Sequence, residues 1–522
     1  MIREKNRLAP SPYRKRAYHC IQTKGDNPMP LGYPSAGAKA KAVDYFEHNG
    51  SLHDEFYWIS EINKASLVMN TEEGLLSRDN AKAFARGLEE TIKEGDQPGN
   101  PRPKMYIRYE PLMIKHCGIS CTLLHAGRSS QDMHSTFFRM GMREKLLNFM
   151  KAALAARKAL YRLAWENRDT VAPNYTNGVA AQPNSLGHEW LGHVQSFERD
   201  FRTMKAVYAE TNQSPMGTTV LNGTSWPLNR HRMAELLGFD GVIDNAFDAG
   251  QISAEDMFIQ TAQSVVLPML HIGHFIQDIM TQYAQPRPWI LVTSTYVSSA
   301  MPQKRNPGPL IDVRRDASEV INESNGTLMR VHNLMPGMYD GKDLPLGRQL
   351  FDDAVTVMDN FTEVVGMLKV NAERALEELN SDWTASQEVA DILMHRFNVP
   401  FRVGHHFASA MVTYARTHEL TPLTFPYAKA RELWTEEVKK EAEGIASETF
   451  PLDEQGFKEA LNPVAIIANR RVYGGPQPSE MKRQFEERQA GIDADEAWLN
   501  ETLGRLEKAQ QNRQSLYEAL MK

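Results

Sequence analysis

The stretch from Thr293 to Ile321 reads TSTYVSSAMPQKRNPGPLIDVRRDASEVI and packs much polar chemistry into a short space. Two adjacent serines, a lysine, an arginine and an asparagine lie among small residues and prolines. Such a loop can close over an anion, with Lys304 and Asn306 as donors and a serine near a reacting carbon. Gly308 and Pro309 read as the N-cap and first position of the helix that follows. Composition alone also allows a plain polar surface loop.

Other residue clusters carry weaker signals. His188 and His193 in HEWLGH suggest a zinc helix, but their i, i+5 spacing turns the second ring about 140° away from the first. Cys117 and Cys121 sit with His116 and His125 in HCGISCTLLH. Their spacing suits one helical face, yet the neighbouring leucines fit a packed segment, so they read as structural thiols. The pair Asp352-Asp353 reads as a solvated face or a loop contact.

Long helices must position these groups. Met142, Leu146, Phe149, Ala153, Ala156, Leu160 and Leu163 recur at helical spacing and form one buried stripe. Phe258, Ala262, Val265, Met269, Ile272, Ile276, Ile279 and Tyr283 keep the alternation longer still. A helix from about Ala254 to Ala284 would run roughly 45 Å, with Pro268 kinking it while the stripe continues in phase. Val355, Met358, Phe361, Val365 and Leu368 make a third stripe. The core is therefore expected to be an all-α bundle of long helices. Three regions follow: residues 1–138 mixed and helical, 139–377 the central bundle carrying the loop 293–308, and 378–522 a smaller helical region.

With 522 residues, the chain is long enough for a large core and more than one domain. A formal net charge of -6 argues against a dedicated nucleic-acid binder. Three cysteines make no disulfide framework. No apolar run approaches a membrane span, and the basic N-terminus lacks the apolar stretch of a secretory signal, so a cytoplasmic protein is expected.

SSAMPQKRNP (Ser298 to Pro307) resembles the signature loop of the fumarase/aspartase superfamily, G-S-S-x-M-P-x-K-x-N-P, with Val297 in place of its leading glycine. The Q-K-x-N-P form is typical of the argininosuccinate lyase branch. Further segments match in order: LLHAGRSSQD resembles H-T-G-R-S-R-N-D, NYTNGVAAQP resembles G-Y-T-H-L-Q-x-A-Q-P, and LNPVAIIANRRVYGGPQP resembles the branch's C-terminal domain. The resemblance runs from about Glu55 to Pro478. It implies a three-domain fold whose central long helices form a shared core in a homotetramer, with each site built from three chains. It also implies anti elimination of fumarate from an N-substituted aspartate, without cofactor or metal. Ser298 would be the base. Ser129, Ser130, Gln131, Thr176, Gln182, Ser299, Lys304 and Asn306 would bind a di- or tricarboxylate substrate.

Three departures bear on the substrate. The histidine of the T-H motif is Asn177, which cannot deliver a proton near neutral pH; His188, with Glu189, is a candidate replacement. The R-N pair becomes Ser130-Gln131, and RSSQD is similar to the T-S-Q-D form of the adenylosuccinate lyase and carboxymuconate cycloisomerase branches. DLPLGRQLFDDA resembles the segment that holds the arginine portion of argininosuccinate, with Leu346, Phe351 and Ala354 at its tyrosine, glutamine and lysine. A smaller or more apolar amine is therefore expected. The alternatives are another leaving group such as nitrite from a nitrosuccinate, a carboxymuconate-type cycloisomerase, or a homologue with weakened catalysis.

Overall fold

The computed structural model describes residues 53–337, 344–442, 444 and 446–522, so the basic N-terminal segment and Cys20 lie outside it. Seventeen α-helices occur among the described residues, joined by short two-stranded ribbons. The axis of the molecule is α2 (Ser130–Glu166), 37 residues long. All seven positions of its stripe, Met142 to Leu163, are buried. Helices α3 (Leu186–Thr211) and α7 (Leu344–Met367) pack along it. Val355, Met358, Phe361 and Val365 of α7 are buried as the periodicity requires.

The expected single helix over residues 254–284 is instead two, α4 (Ser253–Gln263) and α5 (Val266–Tyr283). Proline 268 explains the division. It has no N–H for the carbonyl of Ser264, and its ring crowds that carbonyl. The chain between keeps right-handed dihedrals, with Ser264 at φ -64° and Val265 at φ -85°. The stripe consequently stays in phase, and Phe258, Val265, Ile272 and Ile279 are all buried.

Four ribbons serve as the joints. An antiparallel hairpin, β1 (Val171–Thr176) and β2 (Val179–Ser185), leads into α3. β3 (Gln213–Ser214) pairs in parallel with β4 (Gly241–Val242). β5 (Ile290–Val292) pairs with β8 (Leu368–Val370), while β6 (Tyr296–Val297) pairs with β7 (Arg305–Asn306). Next come α6 (Gly308–Val331), which follows β7, and α8 (Ala372–Ser381), which follows β8.

Buried side chains form two clusters. The smaller draws on Trp383 to Ile466. The larger contains the helices above together with α1 (Glu55–Glu72) and the last helix, α9 (Pro478–Leu520). Sequence reading grouped α9 with the C-terminal region, but its buried residues Met481, Phe485, Ile492, Leu499 and Tyr517 belong to the main core. Polar ties hold it there: Arg157 Nη1 donates to Asp495 Oδ2 at 2.6 Å, and Tyr517 Oη donates to the Ala85 carbonyl at 2.7 Å.

Candidate active site

The β6–β7 ribbon lifts residues 298–304 out of the body as a loop. Tyr296 faces Asn306 and Val297 faces Arg305 across it. Ser298 Oγ accepts N–H bonds from Ala300 at 3.3 Å and Met301 at 3.0 Å. Donors aimed at a hydroxyl oxygen favour its deprotonated form, because they stabilise the charge that appears there. Lys304 N–H closes the loop onto the Met301 carbonyl at 3.1 Å. Ser299 and Lys304 are exposed, Ser298 and Asn306 half-buried. The helix start differs by one residue from the sequence reading: Pro307 occupies the cap, and Gly308 and Pro309 the first two positions of α6. Gly308 is required for space, since a Cβ there would lie 2.4 Å from the Tyr296 ring.

The second segment surrounds the N-terminus of α2. Ser129 is its N-cap, with Oγ accepting from Gln131 N at 3.2 Å. Asp132 returns the bond, Oδ1 accepting from Ser129 N at 2.8 Å, which completes a capping box. Its other oxygen accepts from Gly217 N at 3.0 Å and Thr219 N at 3.2 Å. Asp132 therefore joins RSSQD to the segment SPMGTTV (Ser214 to Val220), and burial pushes its carboxyl up to about 7 despite those donors. Gln131 Nε2 reaches the Gly250 carbonyl at 3.4 Å, and Ser130 stays half-buried. Sequence reasoning missed Asp132, although S-x-x-D before an apolar run is a capping signature. Upstream, Cys117 and Cys121 are free thiols whose values burial raises, that of Cys117 to about 12, as befits packed rather than reactive sulfur.

The third segment is the β1–β2 hairpin. Asn177 has φ 54° and Gly178 φ 77°, so the two form a tight turn between Thr176 and Val179. Asparagine-glycine is the preferred sequence for that turn, because both residues tolerate the left-handed region. Thr176 to Val179 are exposed at its tip. Further down, Gln182 Nε2 donates to Gln387 Oε1 at 2.8 Å. Tyr175 Oη donates to Glu378 Oε1 and accepts from Trp289 Nε1 at 3.3 Å.

His188 follows the hairpin, and its ring is committed elsewhere. Nε2 lies 2.8 Å from the Gly474 carbonyl and must donate to it, while Nδ1 is buried with no hydrogen-bond partner among the described residues. That geometry latches the ring onto the GGPQP turn. His193 contacts Asp278 Oδ2 at 3.1 Å, so the two rings of HEWLGH serve separate contacts. Glu189 beside His188 is half-buried, and burial with nearby Asp278 pushes its carboxyl up to about 8.

A further correction concerns α7. Phe351 and Ala354 are fully buried, with Phe351 against Phe149 of α2 at 5.9 Å between ring centroids. They fill the core and face no substrate in this chain. The polar side of α7 carries Gln349 donating to Asp353 at 2.8 Å, and Asp352 paired with Lys145 at 2.8 Å. Leu346 lies outside the described side chains.

A family model described as lyase matches residues 78–321. The argininosuccinate lyase of Methanocaldococcus jannaschii is 27% identical over 459 residues, spanning 86% of this chain and 90% of that enzyme. That of Methanosarcina acetivorans is 28% identical over 454 residues, spanning 83% and 87%. Residues 78–321 thus match a lyase domain of the fumarase/aspartase superfamily, and the similarity to argininosuccinate lyases extends over most of the chain. Among solved structures, EDDS lyase in complex with formate has the same fold, with a TM-score of 0.80 at 24% identity over 90% of this chain and 92% of that one. At the level of the superfamily, the relatives support a carbon–nitrogen lyase that yields fumarate.

Against the superfamily pattern, the Val297 departure has a local cause. Val297 lies in β6, where a β-branched residue suits the extended backbone and no glycine is needed. None of the hydrogen bonds described above joins one of the three site segments directly to another. The side-chain link between the hairpin and the root of the signature loop is Tyr175 to Trp289, one residue before β5.

Proposed function

We propose that this lyase eliminates fumarate from an N-substituted aspartate, with Ser298 as the base. The observation that carries the reading is the signature loop, with two backbone N–H groups on Ser298 Oγ and with Lys304 and Asn306 close by in the same loop. The base removes a proton beside a carboxylate, and the resulting aci-carboxylate carries two negative charges. Preorganised donors where that charge develops lower the barrier, a task suited to Lys304, Asn306 and the first amides of α6. A serine is a weak acid in water, so loop closure that excludes water supports its role. Ser129, Ser130, Gln131 and Thr176 would orient the substrate's carboxylates, with Gln182 and Ser299 at the margin.

Asn177 supplies no proton, and His188 is engaged with Gly474. The leaving amine is therefore small or a good leaving group, or draws its proton from water. The protein acts as a cytoplasmic homotetramer, a reading supported by apolar residues left exposed on the long helices, such as Leu267 and Leu270 on α5. No helix among the described residues is long and apolar enough to cross a membrane. The test is a fumarate absorbance assay over a panel of N-substituted aspartates, with nitrosuccinate and a carboxymuconate as the competing substrates. Fumarate from an N-substituted aspartate supports the reading; turnover of a competitor alone sinks it.

A further inference from the structure

The hairpin bearing Thr176 and the segment leading to Ser298 come from distant parts of the chain, yet the phenol of Tyr175 ties the hairpin to Trp289, just ahead of β5. Across β1–β2 the register shifts between Asn174 and Tyr175. Such an irregularity re-aims a side chain, here sending the Tyr175 hydroxyl between Trp289 and Glu378. Trp289 is 2% exposed and rigidly held. Its backbone N–H donates to Gln282 Oε1 at 2.8 Å, and its carbonyl accepts from Asn371 N at 2.7 Å. The next residue opens β5, whose pairing with β8 continues as Thr293 N–H to the Met367 carbonyl at 3.0 Å. Three residues later β6 begins and the signature loop follows. Glu378 rides on α8, directly after β8, with Arg374 3.3 Å from its second oxygen. Both partners of the phenol are thus fixed to the same ribbon at the root of the loop.

We propose that Tyr175 is a positioning residue that locks the Thr176 hairpin to the root of the signature loop through Trp289 and Glu378. The proposal rests on the elimination reading for its kinetic consequence, but not for the coupling itself. The phenol donates to Glu378 while accepting from Trp289, so it must remain protonated to hold both. Burial and the Glu378 carboxylate raise its value above the ordinary tyrosine range. Thr176 sits one residue from this anchor, with only the Asn177-Gly178 turn beyond it. A loosened anchor would therefore be felt at the hairpin tip and at the loop together.

Tyr175→Phe keeps the ring and removes both hydrogen bonds. Hydrogen exchange of the amides at 293–300 and 174–180 is the readout that needs no substrate, and both sets should exchange faster while the thermal midpoint stays close to the parent. With a substrate from the panel, kcat should fall roughly tenfold or more, because small misplacements at a reacting centre are costly, whereas KM should move less. Glu378→Gln retains an acceptor oxygen and should lose less than Glu378→Ala. Unchanged exchange in both segments of Tyr175→Phe overturns the coupling. Faster exchange with no substrate turned over by the parent leaves the coupling standing and removes the elimination reading alone.

Discussion

The Nε2 of His188 lies 2.8 Å from the carbonyl oxygen of Gly474, nearly three hundred residues further along the chain. This bond fastens the first turn of α3 to the GGPQP turn that precedes α9. The remaining nitrogen, Nδ1, is buried. His188→Gln keeps a donor and should retain fumarate production within about threefold, whereas His188→Ala should lower stability by about 1 kcal/mol, the usual net value of one hydrogen bond. General acid catalysis contributes about 10²–10⁴-fold. A kcat loss of that size in both variants, at unchanged thermal midpoint, would show that the ring does transfer protons.

Ser298→Ala should abolish elimination and leave the fold intact. Among the described residues the hydroxyl accepts from amides of its own turn, Ala300 and Met301, in an exposed loop. Its removal should alter stability by less than about 0.5 kcal/mol. Circular dichroism and the fumarate assay check the two halves. Activity within threefold of the parent, at unchanged helicity, is the result that removes the base role.

The long helices were legible because burial on one face imposes a period that nothing else in a sequence mimics. The Pro268 division was half legible: the stripe survives it, but the lost Ser264 bond breaks the helix in two. Phe351 and Ala354 were legible and misassigned. They continue the stripe of Val355 and Met358 by one more helical turn, so core packing explains their apolar character without reference to substrate. The Asn177-Gly178 turn was also written plainly between two strands, but the surrounding motif drew attention to the missing imidazole instead. What no pattern could reveal is Tyr175 meeting Trp289 and Glu378, because sequence periodicity says nothing of contacts 114 and 203 residues apart.

Two carboxyls with raised values, the buried Asp132 and the half-buried Glu189, make stability depend on pH. Burial raises Asp132 to about 7, and burial with Asp278 raises Glu189 to about 8. Both lie above the unfolded values, near 3.9 for aspartate and 4.3 for glutamate. The native state therefore keeps protons that the unfolded chain releases. Their contribution is full below the unfolded values and is lost as pH rises through 7 and 8. Between about pH 5.5 and 8 Asp132 should remove roughly 2 kcal/mol and Glu189 roughly 3 kcal/mol. Urea unfolding at the two pH values measures this, and Glu189→Gln should flatten the slope by removing one of the two groups. An unchanged slope in that variant would mean that Glu189 is already ionised in the native protein. Asp132→Asn is a poorer probe, because an amide cannot accept from Ser129, Gly217 and Thr219 together and the α2 cap would fail.

In the motif resemblance Asn177 falls at the acid-side histidine of the superfamily pattern, and the turn geometry changes what introducing that histidine should do. At φ 54° the backbone sits in the left-handed region, which asparagine enters readily and most other residues enter at a cost of about 1 kcal/mol. Asn177→His would therefore strain the tip of the hairpin at the position from which Thr176 works. Asn177→Gly removes the side chain but suits the turn at least as well. If Asn177 is present for the turn, the glycine variant should keep the parent rate within about threefold, and the histidine variant should be slower with the native substrate. If the enzyme is a lyase weakened by loss of its acid, the order reverses: the histidine variant gains on the scale of general acid catalysis, about 10²-fold or more, despite the strain. Single-turnover rates of the two variants, measured beside the parent across neutral pH, separate the cases. A restored acid also adds a basic limb to the pH profile that the glycine variant lacks.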